Sequence, residues 1–197
     1  MSGTTRDRIL DAAAHVMRTQ GFVRATTKEI ARAAGFSEGT LYKHFADKFE
    51  LFLAVLHERV PGFGPFARAL HEPEGPLRDR LIAVARAAIE FYTEGFPMSA
   101  SVFSEPELLA AHRAAMARLD AGPHRPVSEL AAFFRAEQHR GNIRAGADCA
   151  AAAALLLGAS FQYAFLCAFA QNHPEPAEVE AYAGSVIDTL LAGLVPV

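Results

Sequence analysis

From Cys149 to Ala170 the chain carries no charged side chain. A run of this length permits two fates: it crosses a bilayer, or it is a helix buried in the core of something. It is rich in alanine, includes Ser160 and Gln162, and has no Lys or Arg close behind it. Small residues suit close helix–helix contact and the positive flank of a membrane anchor is missing, so the reading favoured is a buried helix at a subunit interface. That choice places the chain in a helical, protein-buried architecture, with no membrane among its partners. On such a helix Cys149 and Cys167 stand 18 residues apart, about 27 Å at 1.5 Å per residue. They cannot pair within one chain and read as small buried hydrophobes.

The remaining sequence follows the same period. Ile9, Ala13, Val16 and Met17 recur at helical spacing over 6–20, and Gly21 follows as a stop. Thr26-x-x-Glu29 has the form of a capping box opening a helix that Gly35 ends. Ser37 is the next N-cap, before Glu38–Phe45, and Asp47-x-x-Glu50 caps a helix running to about Arg59. Pro61, Gly62, Gly64 and Pro65 break the chain there. Further helices are predicted over 76–94, 105–120, 126–140, 146–171 and 176–194, separated by HEPEG, EGFPMS, AGPHRP, GNIRAG and NHPEP. No strand-length alternating run interrupts them, so the expected fold class is all-α. The N-terminus lacks the apolar segment of a secretory signal, and the expected location is cytoplasmic.

Charge divides the chain. The formal net charge of −3 argues by itself against nucleic acid. Residues 1–50, however, hold 8 basic and 6 acidic side chains, a net +2, while residues 51–197 hold 11 and 16, a net −5. All three lysines, Lys28, Lys43 and Lys48, fall in the first part.

The same part carries the informative motif, GFVRATTKEIARAAGFSEGTLYKHFADKFEL over residues 21–51. Its pattern is helix, tight turn, short helix, an arrangement that places the second helix in the major groove of DNA. Leu41 and Phe45, four residues apart, face inward with Ile30. That leaves Thr40, Tyr42, Lys43 and His44 outward, flanked by Thr26, Thr27, Lys28 and Lys48 on neighbouring helix starts. Gly39 and Thr40 are small enough for close approach to a duplex.

In these residues the stretch resembles the DNA-binding domain of the TetR family (tetracycline-repressor-like bacterial regulators). The shared features are a Gly-aromatic pair, Thr-Thr before the Ile-Ala helix, Ala-Gly at the turn, Gly-Thr-Leu-Tyr, His-Phe and Asp-Lys. Phe36 stands where the family usually has a smaller aliphatic residue, and Glu38 puts an acid at the start of the short helix. The resemblance implies that Thr27, Tyr42, His44 and Lys48 contact phosphate, and that Lys28, Gly39, Thr40 and Lys43 lie at or near the bases. Thr26 and Ser37, as caps on the same surface, complete the DNA-binding set. It also implies a helix-turn-helix domain over 4–58 and a helical effector-binding and dimerisation domain over 59–197, with helices 146–171 and 176–194 pairing across a two-fold axis.

The expected partners are double-stranded operator DNA, a second copy of the chain and a small, mostly apolar or aromatic effector. Helix 176–194 supplies Val179, Tyr182, Val186, Leu190 and Leu194 as one stripe. Phe91, Met98, Phe103, Phe134, Phe161 and Phe165 are the candidate pocket lining. The expected function is a ligand-responsive repressor; the alternative is a small-molecule-binding dimer whose DNA binding is vestigial. No cofactor, metal or catalytic residue is expected. His57-Glu58 lacks a second histidine one turn on, the eight histidines include no pair at i,i+4, and Gly158-Ala-Ser160 lacks the closing glycine of a nucleophile elbow.

Overall fold

The computed structural model describes residues 3–59, 64–71, 75–118 and 122–195, with the side chains of His57, Pro97 and Met98 outside that description. The predicted break at Pro61 and Gly62, and Met98 as a pocket residue, therefore lie outside the described residues. Ten helices are described: α1 Thr5–Arg24, α2 Thr27–Ala34, α3 Glu38–Tyr42, α4 Lys48–Glu58, α5 Gly64–His71, α6 Leu77–Ser104, α7 Pro106–Arg118, α8 His124–His139, α9 Cys149–Ala170 and α10 Pro176–Ala192. The fold is all-α. The chain divides into two compact units, one of residues 1–62 with 95–119 and one of residues 63–94 with 120–197. By compactness the first unit takes in the end of α6 and all of α7 beside the residues before the 58/59 division expected from the sequence.

In that first unit, Ile9, Leu10, Ala13 and Met17 of α1 pack with Ile30, Leu41, Phe45, Leu51, Phe52 and Val55, and Val102 and Leu108 join the same core. Gly21 is the point at which α1 breaks: its φ of 75° is left-handed, and a short helical turn resumes beyond it. The break takes the Phe22 N–H out of the helix ladder, and the buried Ser101 hydroxyl of α6 accepts it at 3.2 Å. The Phe22 ring meets Phe49 and Phe52 at 5.3 and 4.9 Å. Arg6 donates two hydrogen bonds to Glu58 at 2.8 and 2.7 Å, and Arg59 reaches Asp7 and Asp11 at 2.8 and 2.6 Å. These pairs tie the start of α1 to the end of α4.

In the second unit, Phe66 and Leu70 of α5, Leu81, Val84 and Ala85 of α6, Leu130 and Phe134 of α8, Ala153 and Leu156 of α9, and Ala183 and Ile187 of α10 share one core. It contains a buried carboxylate: Glu137 is 1% exposed and accepts from Arg80, Arg140 and Asn142. Arg80 also covers the Phe133 ring at 4.7 Å.

Two sequence expectations are corrected. Gly64 and Pro65 open α5 instead of breaking the chain, since a first-turn proline lacks only an N–H that needs no intrahelical partner. The EGFPMS segment does not separate two helices. It lies inside α6, which runs unbroken for 28 residues because Leu81, Ile82, Val84, Ala85 and Ala88 are held in one core and Val102 in the other. Packing outweighs local propensity there. On α10 the fully buried line is Ala183, Gly184 and Ile187, with Val179, Tyr182, Val186 and Leu190 half-buried beside it. A Cβ on Gly184 would stand 3.6 Å from the guanidinium of Arg78, which donates to Asp188 of the same helix.

Several carboxyls are held below their ordinary range. Hydrogen bonds from Arg6 do this for Glu58, and those from Thr4 and Arg59 for Asp7. Burial pushes the Glu137 carboxyl up, but Asn142, Arg80 and Arg140 together bring it down overall. Groups depressed in this way contribute stability that is complete above their unfolded-state values and lost as pH falls through the folded ones. The urea midpoint is therefore expected to be flat above about pH 5.5 and to fall steadily between about pH 5 and 3. A midpoint unchanged across that window contradicts the assignment.

Candidate nucleic-acid interface

The head is assembled from caps. Thr26 accepts from the Glu29 N–H while Glu29 accepts from the Thr26 N–H and hydroxyl, the reciprocal box that the sequence predicts. Gly35 closes α2 at φ 78°, and a Cβ there would stand 3.1 Å from the Arg8 guanidinium. Arg8 fills that corner: it donates to the Ala34 carbonyl at 3.0 Å and lies 4.6 Å over the Phe36 ring. The large Phe36 is thus accommodated by stacking under a cation. Ser37 accepts from the Thr40 N–H at 3.2 Å, and the Ser37 and Thr40 hydroxyls meet at 3.0 Å. Asp47 caps α4 through the Glu50 N–H, while the Glu50 carboxylate reaches back to the Ala46 N–H, one residue earlier than the expected box.

Helix α3 ends at Tyr42 instead of continuing to Phe45, yet Leu41 and Phe45 are buried beside Ile30 as expected. The opposite side of this segment carries Gly39, Tyr42, Lys43 and His44, all exposed, with Thr40 half-buried. At the start of α2, Thr26 and Lys28 are exposed and Thr27 is half-buried. The contacts of Thr27 with Glu38 and Tyr42 join the start of α2 to α3.

Two members of the expected DNA-facing set have internal partners that the sequence does not reveal. Thr27 donates to the Glu38 carboxylate at 2.5 Å, and the Tyr42 hydroxyl lies 3.3 Å from the same Thr27 oxygen. Lys48 is half-buried, with its ammonium 4.3 Å over the Phe22 ring and 3.4 Å from the Val23 carbonyl. Desolvation lowers its pKa, with the Glu105 charge opposing. Its ammonium is turned onto the end of α1, a less outward position than a simple phosphate contact requires. Glu38 belongs to the surface but not to the sequence-derived set; its acidic character was the available signal.

Gly39 has room for a side chain. A Cβ at this position would meet nothing closer than the Ser37 hydroxyl at 3.8 Å, an ordinary contact. The fold does not require glycine here.

A capped helix, a left-handed turn and a short helix, with Lys28 and Lys43 exposed beside them, define a helix-turn-helix DNA-binding head. Residues 9–55 match the model described as bacterial regulatory proteins, tetR family, and residues 79–193 match that of the AefR-like transcriptional repressor C-terminal domain. The chain belongs to the TetR family of bacterial transcriptional regulators. Similar curated proteins include the transcriptional activator FasR of Mycolicibacterium smegmatis, 37% identical over 86 residues, which are 44% of this chain and 39% of that one. The regulator AcrR of Shigella flexneri is 33% identical over 90 residues, 43% of this chain and 42% of its own. The chain thus matches about two fifths of the length of these relatives. Among solved structures, a TetR-family regulator from Mesorhizobium loti superposes with TM-score 0.76 at 23% identity, covering 98% of this chain and 97% of that one. GusR of Salmonella enterica gives 0.70 at 26%, covering 96% and 95%.

Of the candidate pocket residues, Phe91 and Phe161 share a neighbour, Tyr92. Phe134 is fully buried against Phe133, whereas Phe103 is 75% exposed and belongs to the first unit. Phe161 and Phe165 are exposed because their spacing of four places both on the outer side of α9. Within the second unit, Tyr92 joins Phe91 and Phe161 edge-on, each at 5.3 Å, and burial raises its hydroxyl pKa.

The two glycines give a paired expectation. Gly35→Ala forces an alanine into a left-handed conformation and is expected to lose about 1–2 kcal/mol in chemical denaturation. Gly39→Ala is expected to unfold like the parent but to bind duplex DNA more weakly in a gel-shift titration. Unimpaired binding by Gly39→Ala contradicts the close approach assigned to that position.

Proposed function

We propose that the protein is a one-component repressor that binds a palindromic operator as a homodimer and is released by a small, mostly apolar or aromatic effector. The observation that carries this reading is the outer side of α9. Leu155 is 65% exposed, and Phe161, Phe165, Leu166 and Phe169 continue the same apolar surface at 46, 42, 53 and 81%. An isolated soluble chain rarely leaves such a patch in water, whereas a two-fold partner presenting the same helix covers it. Ala151, Ala154 and Gly158 lie along it, and a Cβ on Gly158 meets nothing within 4 Å in the single chain. Such small residues permit close helix approach. A dimer also supplies the second head that reads the other half-site, about 34–36 Å along the duplex.

The second unit is the proposed effector domain, and the Phe91–Tyr92–Phe161 cluster offers apolar surface with one hydroxyl for orientation. Its match to a repressor C-terminal domain supports repression, and a fold neighbour from Bacillus subtilis, a FadR, was solved in complex with stearoyl-CoA. The proposed coupling element is α6, which begins in the effector unit's core and ends in the head's, where Ser101 holds the Phe22 amide. Displacement of α6 by effector then alters the setting of α1 and, in the dimer, the separation of the two α3 helices. A preference of a few kcal/mol for one arrangement suffices to change operator occupancy by orders of magnitude. The protein acts in the cytoplasm, without catalysis of its own.

Gly158→Trp tests the assembly directly. It adds bulk where the single chain has open space, so folding by circular dichroism is expected to be intact. Sedimentation is expected to report a monomer, with operator affinity falling at least tenfold. A variant that remains dimeric overturns the proposed interface.

A further inference from the structure

Glu38 is the one acid on α3, and its charge repels the phosphates that the surrounding lysines attract. The structure shows what it does instead. Thr27 donates to its Oε1 at 2.5 Å, and Tyr42, one turn along α3, places its hydroxyl 3.3 Å from the same Thr27 oxygen. One carboxylate oxygen is thereby fixed between α2 and α3. Among the described residues Oε2 has no hydrogen-bond or ion-pair partner, and the side chain remains partly exposed on the DNA-facing surface. An ionised carboxylate offers acceptors only. Cytosine presents an amino donor and no acceptor on its major-groove edge, whereas adenine sets N7 beside its amine, and guanine and thymine present acceptors.

We propose that Glu38 is a specificity-determining residue whose free carboxylate oxygen accepts from the N4 amine of one cytosine in each half-site, with Thr27 and Tyr42 holding it in register. This rests on the operator-binding reading above.

The test selects duplexes from a random library with the full-length wild type and with Glu38→Gln, which keeps the shape but adds a donor. Wild type is expected to enrich one fixed cytosine per half-site. Exchanging that C·G pair for T·A replaces an amino donor by a keto acceptor, and should weaken wild-type binding about tenfold or more, the scale of one good base contact. Glu38→Gln should lose most of that discrimination while its preferences elsewhere in the site are unchanged. The proposal is overturned if wild-type sites lack a fixed cytosine. It is equally overturned if Glu38→Gln keeps the wild-type preference at every position, whatever its overall affinity, since the carboxylate then only braces Thr27 and Tyr42. Failure of wild type to enrich any duplex removes the operator-binding reading itself, a distinct result from enrichment without the cytosine.

Discussion

The burial of Leu41 and Phe45 in the core of the head is the interaction on which the rest of the structure depends. Helix α3 has only five residues, far below the length at which a helix is stable in water on its own. Its position is set by these two side chains, both at most 2% exposed, and by the Ser37 cap at its start. Arg8 secures the preceding turn by filling the corner that Gly35 leaves open. The outward groups, Gly39, Tyr42, Lys43 and His44, are consequently displayed by a scaffold that is already ordered. In the proposed operator-binding role, such a surface need not be organised at the moment it meets DNA, which lowers the entropic cost of binding.

The same core extends beyond the head. Val102 and Leu108 contribute to it, and the hydroxyl of Ser101 completes the hydrogen bonding of the Phe22 amide at the α1 break. Residues late in the sequence are therefore structural members of the N-terminal unit. In the proposed mechanism this shared packing is what allows a change at the effector domain to reach the head without a separate signalling element.

Local chemistry made the head legible in the sequence. The Thr26–Glu29 box, the Gly35 stop, the Ser37 and Asp47 caps and the inward Leu41 and Phe45 all follow from interactions among near neighbours. The failures lie where distant packing decides. EGFPMS carries turn residues, yet α6 passes through it because cores at both ends hold the helix. Phe161 and Phe165 stand four residues apart in the sequence, but it is the fold that gives the core side of α9 to Ala152, Ala153, Leu156 and Leu157 and turns those rings to its outer side. The retraction of Lys48 onto Phe22 and the Thr27–Glu38 bond likewise join residues whose proximity only the fold creates. Charge behaves in the same way: the net −3 of the chain conceals a reading head at +2, because the acids are concentrated in the other part.

The central claim is that two such heads, one from each protomer, engage the phosphate backbone of a single duplex. The most direct measurement is the equilibrium affinity of the purified protein for a selected operator as a function of salt concentration, with binding stoichiometry determined alongside. The account predicts two chains per duplex and a linear decline of log K with log salt, its slope reflecting several phosphate contacts from each head. A salt-independent affinity, or saturation at one chain per duplex, would contradict it.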